Sequence, residues 1–330
     1  MRSLRPVRPV AWLAAATVLC MTASGCVTVH GELAVVPSAT RSEAAQALKD
    51  FTDAYNAADK VYDPALDADR VAGPLGAVNQ AGLKARHKSH PDGNPNHVPL
   101  KLTDARYLIP KKAGWPRWFV ADTASSREGN GGKPGTRWLL AFVKSGPDAT
   151  WRAAYLSVIA SSKLPGLAQD DDGRARPVDA ADPELAVAPE DLSTRYTEYL
   201  EKGAPDVFAP GDSTSAWREA RRTTRQPGFS FQYADRPLAS GSFAPLALAT
   251  EDGGALVFFS SKHFEQQTAA KGLRPPVSAD VEALLTGEVK STLTKERVSG
   301  QLVYVPKKGA GDGKVVVLNR LPGLTSAQGS

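Results

Sequence analysis

Apolar residues at Ala44, Ala47, Leu48, Phe51, Ala54, Tyr55 and Ala58 recur at the spacing of one helix face. Thr40 followed three positions later by Glu43 has the form of a capping box, with Ser42 as an alternative cap. Asp63-Pro64 sets the latest end of that helix. Residues 64–98 mix Gly, Pro, Asn and His and predict short helix and loop. Beyond them, apolar and aromatic runs at 105–109, 118–121, 138–143 and 150–159 predict strands. Turn-rich stretches at 128–132 and 145–148 separate them.

Residues 161–188 carry Pro165, Gly166, Gly173, Pro177 and Pro183 around the acidic run Asp170-Asp171-Asp172, which predicts a linker. The pattern then begins again. Leu192, Tyr196, Tyr199 and Leu200 form a helical stripe with Gly203 as its stop, and a short helix around Trp217 follows. Strand signals lie at 229–233, 245–249, 255–260, 300–305 and 314–318, and Ser278 caps a small helix carrying Val281, Leu284 and Leu285. The expectation is an α+β chain of two tandem modules, 41–160 and 189–330, each a long helix on a curved antiparallel sheet. That plan is similar to the nuclear-transport-factor-2-like and cystatin-like folds, a likeness of fold that carries no function.

The first 40 residues have a different character. Arg2, Arg5 and Arg8 precede an apolar run over 10–23, too short for the ~20 residues of a spanning helix, so 1–25 reads as a signal peptide. Ala23-Ser24-Gly25-Cys26 resembles the lipobox of bacterial lipoproteins, with Ala23 where that family most often has Leu. The resemblance implies cleavage after Gly25, a diacylglyceryl group on the Cys26 thiol and a tether over 26–40. Two acyl chains contribute on the order of 20 kcal/mol of membrane affinity. The other cysteine, Cys20, falls within the leader, so 27–330 has none and forms no internal disulfide. The expected location is the extracytoplasmic face of the cell membrane. Leu164-Pro165-Gly166-Leu167-Ala168, Asp172-Gly173, the run 185–200 and the run 250–259 resemble uncharacterised lipoproteins of high-GC actinobacteria. That resemblance implies an exported, anchored protein and brings no catalytic residues.

Composition narrows the classes further. At 42% hydrophobic and 23% charged, the chain is neither a polytopic membrane protein nor a mainly disordered one. Its formal charge of +5 shrinks once the three leader arginines are removed, leaving 37 basic against 35 acidic residues. A globally cationic, nucleic-acid-binding protein is therefore not expected. A local basic window remains over 84–117: Lys84, Arg86, Lys88, Lys101, Arg106, Lys111, Lys112 and Arg117 against Asp92 and Asp104. On an anchored protein such a window suits anionic lipid or cell-wall polymer, although a solvated face explains it as well.

Chemical motifs are sparse. Neither His-Glu-x-x-His nor Gly-x-Ser-x-Gly occurs, and no serine is followed three residues later by lysine, which reduces Lys144-Ser145-Gly146 to a turn. The loop over 309–314 lacks the spacing and the Ser/Thr of a phosphate loop, and Asp170-Asp171-Asp172-Gly173 lacks calcium-loop spacing. No cofactor is expected. His87, His90 and His97, beside Asp92, are a weak candidate for a transition metal, with exposed loop histidines as the plain alternative. Trp115, Trp118, Trp138 and Trp151 predict an aromatic core or an aromatic pocket, to which Tyr55, Asp59 and Tyr107 would add polar groups. The expectation is a non-enzymatic binding or scaffold lipoprotein. An enzyme with an acid–base site in that pocket competes with it, as does a solute-binding lipoprotein, whose βαβ lobes the pattern lacks.

Overall fold

The computed structural model describes residues 34–127 and 135–330; the leader, Cys26 and the turn-rich stretch 128–132 lie outside them. A two-residue strand β1 (Val36–Pro37) leads to helix α1 (Arg41–Val61). The capping box forms as its spacing requires: Glu43 N donates to Thr40 Oγ1 at 3.1 Å and Thr40 N donates to the Glu43 carboxylate at 2.7 Å. Tyr62 in the left-handed region ends the helix.

Helix α2 (Gly73–Ser89) occupies a region that the sequence describes only as short helix and loop. Its buried face is made of small residues (Gly73, Gly76, Ala81, Ala85) with Leu83, so it lacks the apolar stripe that marks α1. Those small side chains let it wedge between other elements. A Cβ on Gly73 would lie 2.4 Å from the Ser242 carbonyl, and one on Gly323 would lie 2.2 Å from Val78 of α2.

Strands β2 (Leu102–Leu108), β3 (Lys111–Lys112), β4 (Arg117–Ser125), β5 (Thr136–Lys144) and β6 (Arg152–Ala160) follow. β3 pairs with β1, and the other four form an antiparallel sheet in the order β2-β4-β5-β6. Alternation sorts its side chains: Phe119, Ala121, Leu140 and Phe142 pack under Phe51 of α1, while Val120, Leu139 and Ala141 point the other way.

The segment 161–188 lies along the next sheet through bridges at Leu167–Thr250, Pro177–Leu248 and Leu185–Lys307. Helices α3 (Leu192–Lys202) and α4 (Ser215–Thr223) precede β7 (Phe229–Leu238), β8 (Leu246–Ala249) and β9 (Ala255–Ala269). A short helix α5 (Ala279–Ala283), β10 (Leu285–Thr286), β11 (Thr292–Val305) and β12 (Val316–Gly329) complete the order. The second sheet runs β10-β12-β11-β9-β7, with β8 also on β9 and with β10 parallel to β12.

Both faces of the second sheet are covered. Leu256, Phe258 and Leu302 meet Val120, Leu139 and Ala141 of the first sheet in one continuous core. Val257, Phe259, Val303 and Val305 meet Leu192, Tyr196, Tyr199 and Leu200 of α3. The layers are therefore α1, first sheet, second sheet, then α3 and α4. The class is α+β as expected, but the nuclear-transport-factor-2-like or cystatin-like architecture, with a curved sheet around a long helix in each module, is overturned. Neither sheet curves or closes round a helix, and the second is an open path from β10 to β7. The stripe at 192–200 belongs to an 11-residue helix, about 16 Å long, which strands of 14 and 15 residues overrun. The sheet face that such a fold would turn to a pocket packs instead on the other sheet.

Candidate functional site

A cavity of about 500 Å³ opens where α2 holds the two sheets apart. Phe51, Tyr55, Trp138, Leu156 and Val158 form one wall, Leu75 and Val78 of α2 another, and Leu321, Gly323 and Leu324 of β12 the third. Gly300 of β11 also lines it, since a Cβ there would already sit 3.5 Å from Pro74. Asn79, Arg86, Arg127 and Asp280 supply its polar groups.

Those groups are held from behind. Arg127 Nη2 donates to Asp59 Oδ2 at 3.2 Å and its guanidinium lies 5.2 Å from the Tyr55 ring centre. Asp59 also receives Asn94 Nδ2 at 3.2 Å and faces His97 Nδ1 at 3.0 Å. Arg86 lies over the Tyr62 ring, with its Nε buried and without a hydrogen-bond partner. The Trp138 Nε1 is likewise buried and, among the described residues, without a partner. Burial also pushes the Tyr55 phenol above its ordinary value.

Asp67 sits behind Asn79, fully buried, and accepts from Asn79 Nδ2 at 2.6 Å and Gln80 Nε2 at 2.5 Å. Burial pushes its carboxyl up to about 6 despite those two donors. It is not part of the cavity wall, so it offers no direct proton transfer there.

The aromatic cluster divides. Trp138 and Tyr55 reach the cavity, whereas Trp118 fills the core between the sheets. Trp151 packs on Phe119 at 4.9 Å, and Trp115 lies between Arg117 and Lys144. Tyr107 lines a different cleft, of about 640 Å³, formed by the start of α1, β2 and the 161–188 segment. The histidines also separate: His87 is exposed near the end of α2, His90 faces Tyr62 at 6.1 Å, and His97 turns to Asp59. Among the described residues no group of three or more His, Cys, Asp or Glu side chains is placed to hold a metal. Within the basic window, Lys111 pairs with Asp170 and Asp172, and Lys88 with Glu282.

On the far face of the second sheet lies a polar network without a sequence motif. His263 Nδ1 donates to Asp235 at 2.5 Å, and Asp235 also takes two bonds from Arg221 at 2.7 and 3.1 Å. The Ser299 hydroxyl lies 2.6 Å from His263 Nε2 and donates to it, because burial lowers the His263 pKa to about 4 and keeps the ring neutral. With the Gln301 amide oriented to donate to the Phe259 and Ser299 carbonyls, its oxygen accepts from Ser261 at 2.7 Å. The order Asp235–His263–Ser299 has the connectivity of a nucleophile relay. Ser299 is 0% exposed, however, and no substrate reaches its Oγ in this arrangement. Its evident work is to satisfy polar groups inside the sheet.

The chain matches, over residues 35–329, the family described as "Domain of unknown function (DUF8094)". An uncharacterized lipoprotein of Streptomyces coelicolor is 54% identical over 319 residues, covering 96% of this chain and 94% of that protein. An uncharacterized lipoprotein of Streptomyces avermitilis is 50% identical over 317 residues, covering 96% and 93%. A second uncharacterized lipoprotein of Streptomyces coelicolor is 29% identical over 219 residues, covering 63% and 59%. No solved structure matches the chain.

Proposed function

The chain belongs to the DUF8094 family, a lipid-anchored actinobacterial lipoprotein of the extracytoplasmic membrane face, and from that premise we propose a non-enzymatic ligand-binding role. The observation that supports this reading is the cavity between the sheets. Its volume of about 500 Å³ falls in the range of small-molecule sites, roughly 300–1,000 Å³. Its wall is largely aliphatic and aromatic, with few polar groups. The ligand class is an amphiphile with an apolar body and one acceptor group, oriented by the Arg86 and Arg127 guanidiniums. The proposed attachment point is Cys26, with Ala23, Ser24 and Gly25 as the cleavage flank.

The test uses the Cys26→Ser chain, which is expected in the soluble fraction; retention in membranes overturns the Cys26 assignment. Titration of that chain with dodecanoate is expected to show one saturable site, recovered unaltered after binding. Arg86→Met removes a guanidinium from the cavity wall and weakens binding by about tenfold. No saturation, or equal affinity in the variant, overturns the cavity as the binding site. Chemical conversion of a bound probe favours the enzyme instead.

A further inference from the structure

Helix α4 lays Trp217 across the far face of the second sheet, edge-on to the His263 ring at 4.8 Å. The guanidinium carbons of Arg221 and Arg320 each lie 3.6 Å from the Trp217 ring centre. Two guanidiniums at that distance cannot share one face, so they sandwich the indole. Their charges are answered differently. Arg221 is held by both oxygens of Asp235. Among the described residues Arg320 has no hydrogen bond and no carboxylate within 4 Å, Asp235 acting on it only from farther away, and its Nε is buried. Arg221 Nε is buried and unpartnered as well.

A cavity of about 200 Å³ opens beside them, lined by Arg221, Arg297, Arg320, Glu265, Tyr233 and His263 among others. Asp235 already answers Arg221, so Arg297 and Arg320 share the cavity with one carboxylate, Glu265, which is itself shared between Lys295 at 3.1 Å and Arg297 at 3.8 Å. His263 is neutral and adds no charge. Burial, with Arg221 and Arg297 nearby, lowers the Arg320 pKa to about 10 against the opposing pull of Tyr196 and Asp235, and the guanidinium remains charged at neutral pH. An unpaired, partly desolvated guanidinium is costly, and a bound anion is the missing counter-charge.

We propose that this cavity is a second binding site, for a small oxyanion of the phosphate class, with Arg320 as its principal ligand and Arg297 and Arg221 flanking it. Arginine donors match phosphate oxygens two at a time, and a doubly charged phosphate answers this charge excess better than a single carboxylate does. The volume, below the usual small-molecule range of roughly 300–1,000 Å³, limits the occupant to the anionic group and little else. The site lies on the opposite face of the sheet from the amphiphile cavity, and only Pro322 lines both. It stands or falls without that reading.

Inorganic phosphate, titrated into the full mature chain in neutral detergent at low salt, is expected to bind once per chain and to change Trp217 fluorescence. Arg320→Met is expected to weaken binding by about tenfold or more, and Arg320→Lys by less. In phosphate-free buffer Arg320→Met melts no lower than the parent chain, while it loses the rise in Tm that phosphate gives the parent. Vesicles of phosphatidylcholine with and without phosphatidylglycerol, mixed with the Cys26→Ser chain, separate the sources. Arg320-dependent capture by the anionic vesicles assigns the site to a lipid headgroup, and phosphate binding without capture assigns it to a soluble phosphate. The proposal is overturned if the parent chain shows no saturable phosphate binding, or if Arg320→Met binds equally well. It is also overturned if that variant melts far lower without phosphate, which would make Arg320 structural.

Discussion

Asp67 and His263 are both buried beside hydrogen-bond partners, yet they bend the stability profile in opposite directions. Asp67 titrates near 6 in the folded chain against an ordinary 3.8, so between those values the native state holds more protons than the unfolded one. Its contribution is present below 3.8 and is lost as pH rises through about 6. His263 titrates near 4 against an ordinary 6.5, so its contribution is present above 6.5 and is lost as pH falls through about 4. Urea midpoints measured across this interval are expected to rise more steeply with pH in Asp67→Asn and less steeply in His263→Gln than in the parent chain. A carboxyl resonance of Asp67 that titrates near its ordinary value sinks the first expectation. Neither group is legible in the sequence. The partners of Asp67 lie 12 and 13 residues away, and of those of His263 Asp235 and Ser299 lie 28 and 36 away, with only Ser261 close in sequence and no motif to join them. By contrast, Thr40 and Glu43 are three apart, and their bond follows from helix geometry alone.

At the level of elements, that reciprocal cap sets where α1 begins. Thr40→Ala is expected to cost about 1 kcal/mol in urea denaturation, and a Ser at the same position should restore most of it. Periodicity finds α1 and α3 because each has one apolar face, and it misses the extent of α2 because small residues carry its burial. β5, β6 and β8 are found almost whole, whereas β9 and β11 are found by their apolar ends only. β9 is expected over 255–260 and runs to Ala269, and β11 is expected from 300 and begins at Thr292. The added lengths are polar, joined by Lys262–Glu296 at 2.9 Å and Lys295–Glu265 at 3.1 Å. Such pairs depend on register, which hydropathy does not encode. Likewise Tyr55 and Trp138 are legible as aromatic-pocket candidates, whereas the β12 wall facing them is not.

For the molecule as a whole, the decisive surface is the one shared by the two sheets. Phe258 is almost wholly buried there and packs on Tyr155 of the other sheet at 5.6 Å. Phe258→Ala is expected to cost about 3–5 kcal/mol, and amides of β5 and β9 should lose hydrogen-exchange protection together. Loss confined to β9 would show that the halves open independently. The sequence contains the apolar residues of both faces but not their pairing, which is why two separate curved modules are its natural reading. The shared core also imposes a schedule on synthesis. Val120, Leu139 and Ala141 leave the ribosome well before Leu256 and Phe258 of the facing sheet, which follow Ala141 by about 115 residues, with Leu302 later still. At roughly 5–20 residues per second that interval is on the order of ten seconds, during which an apolar sheet face lacks the sheet that covers it. A chain bound for the far side of a membrane thus gains from being kept unfolded until its last strands have crossed.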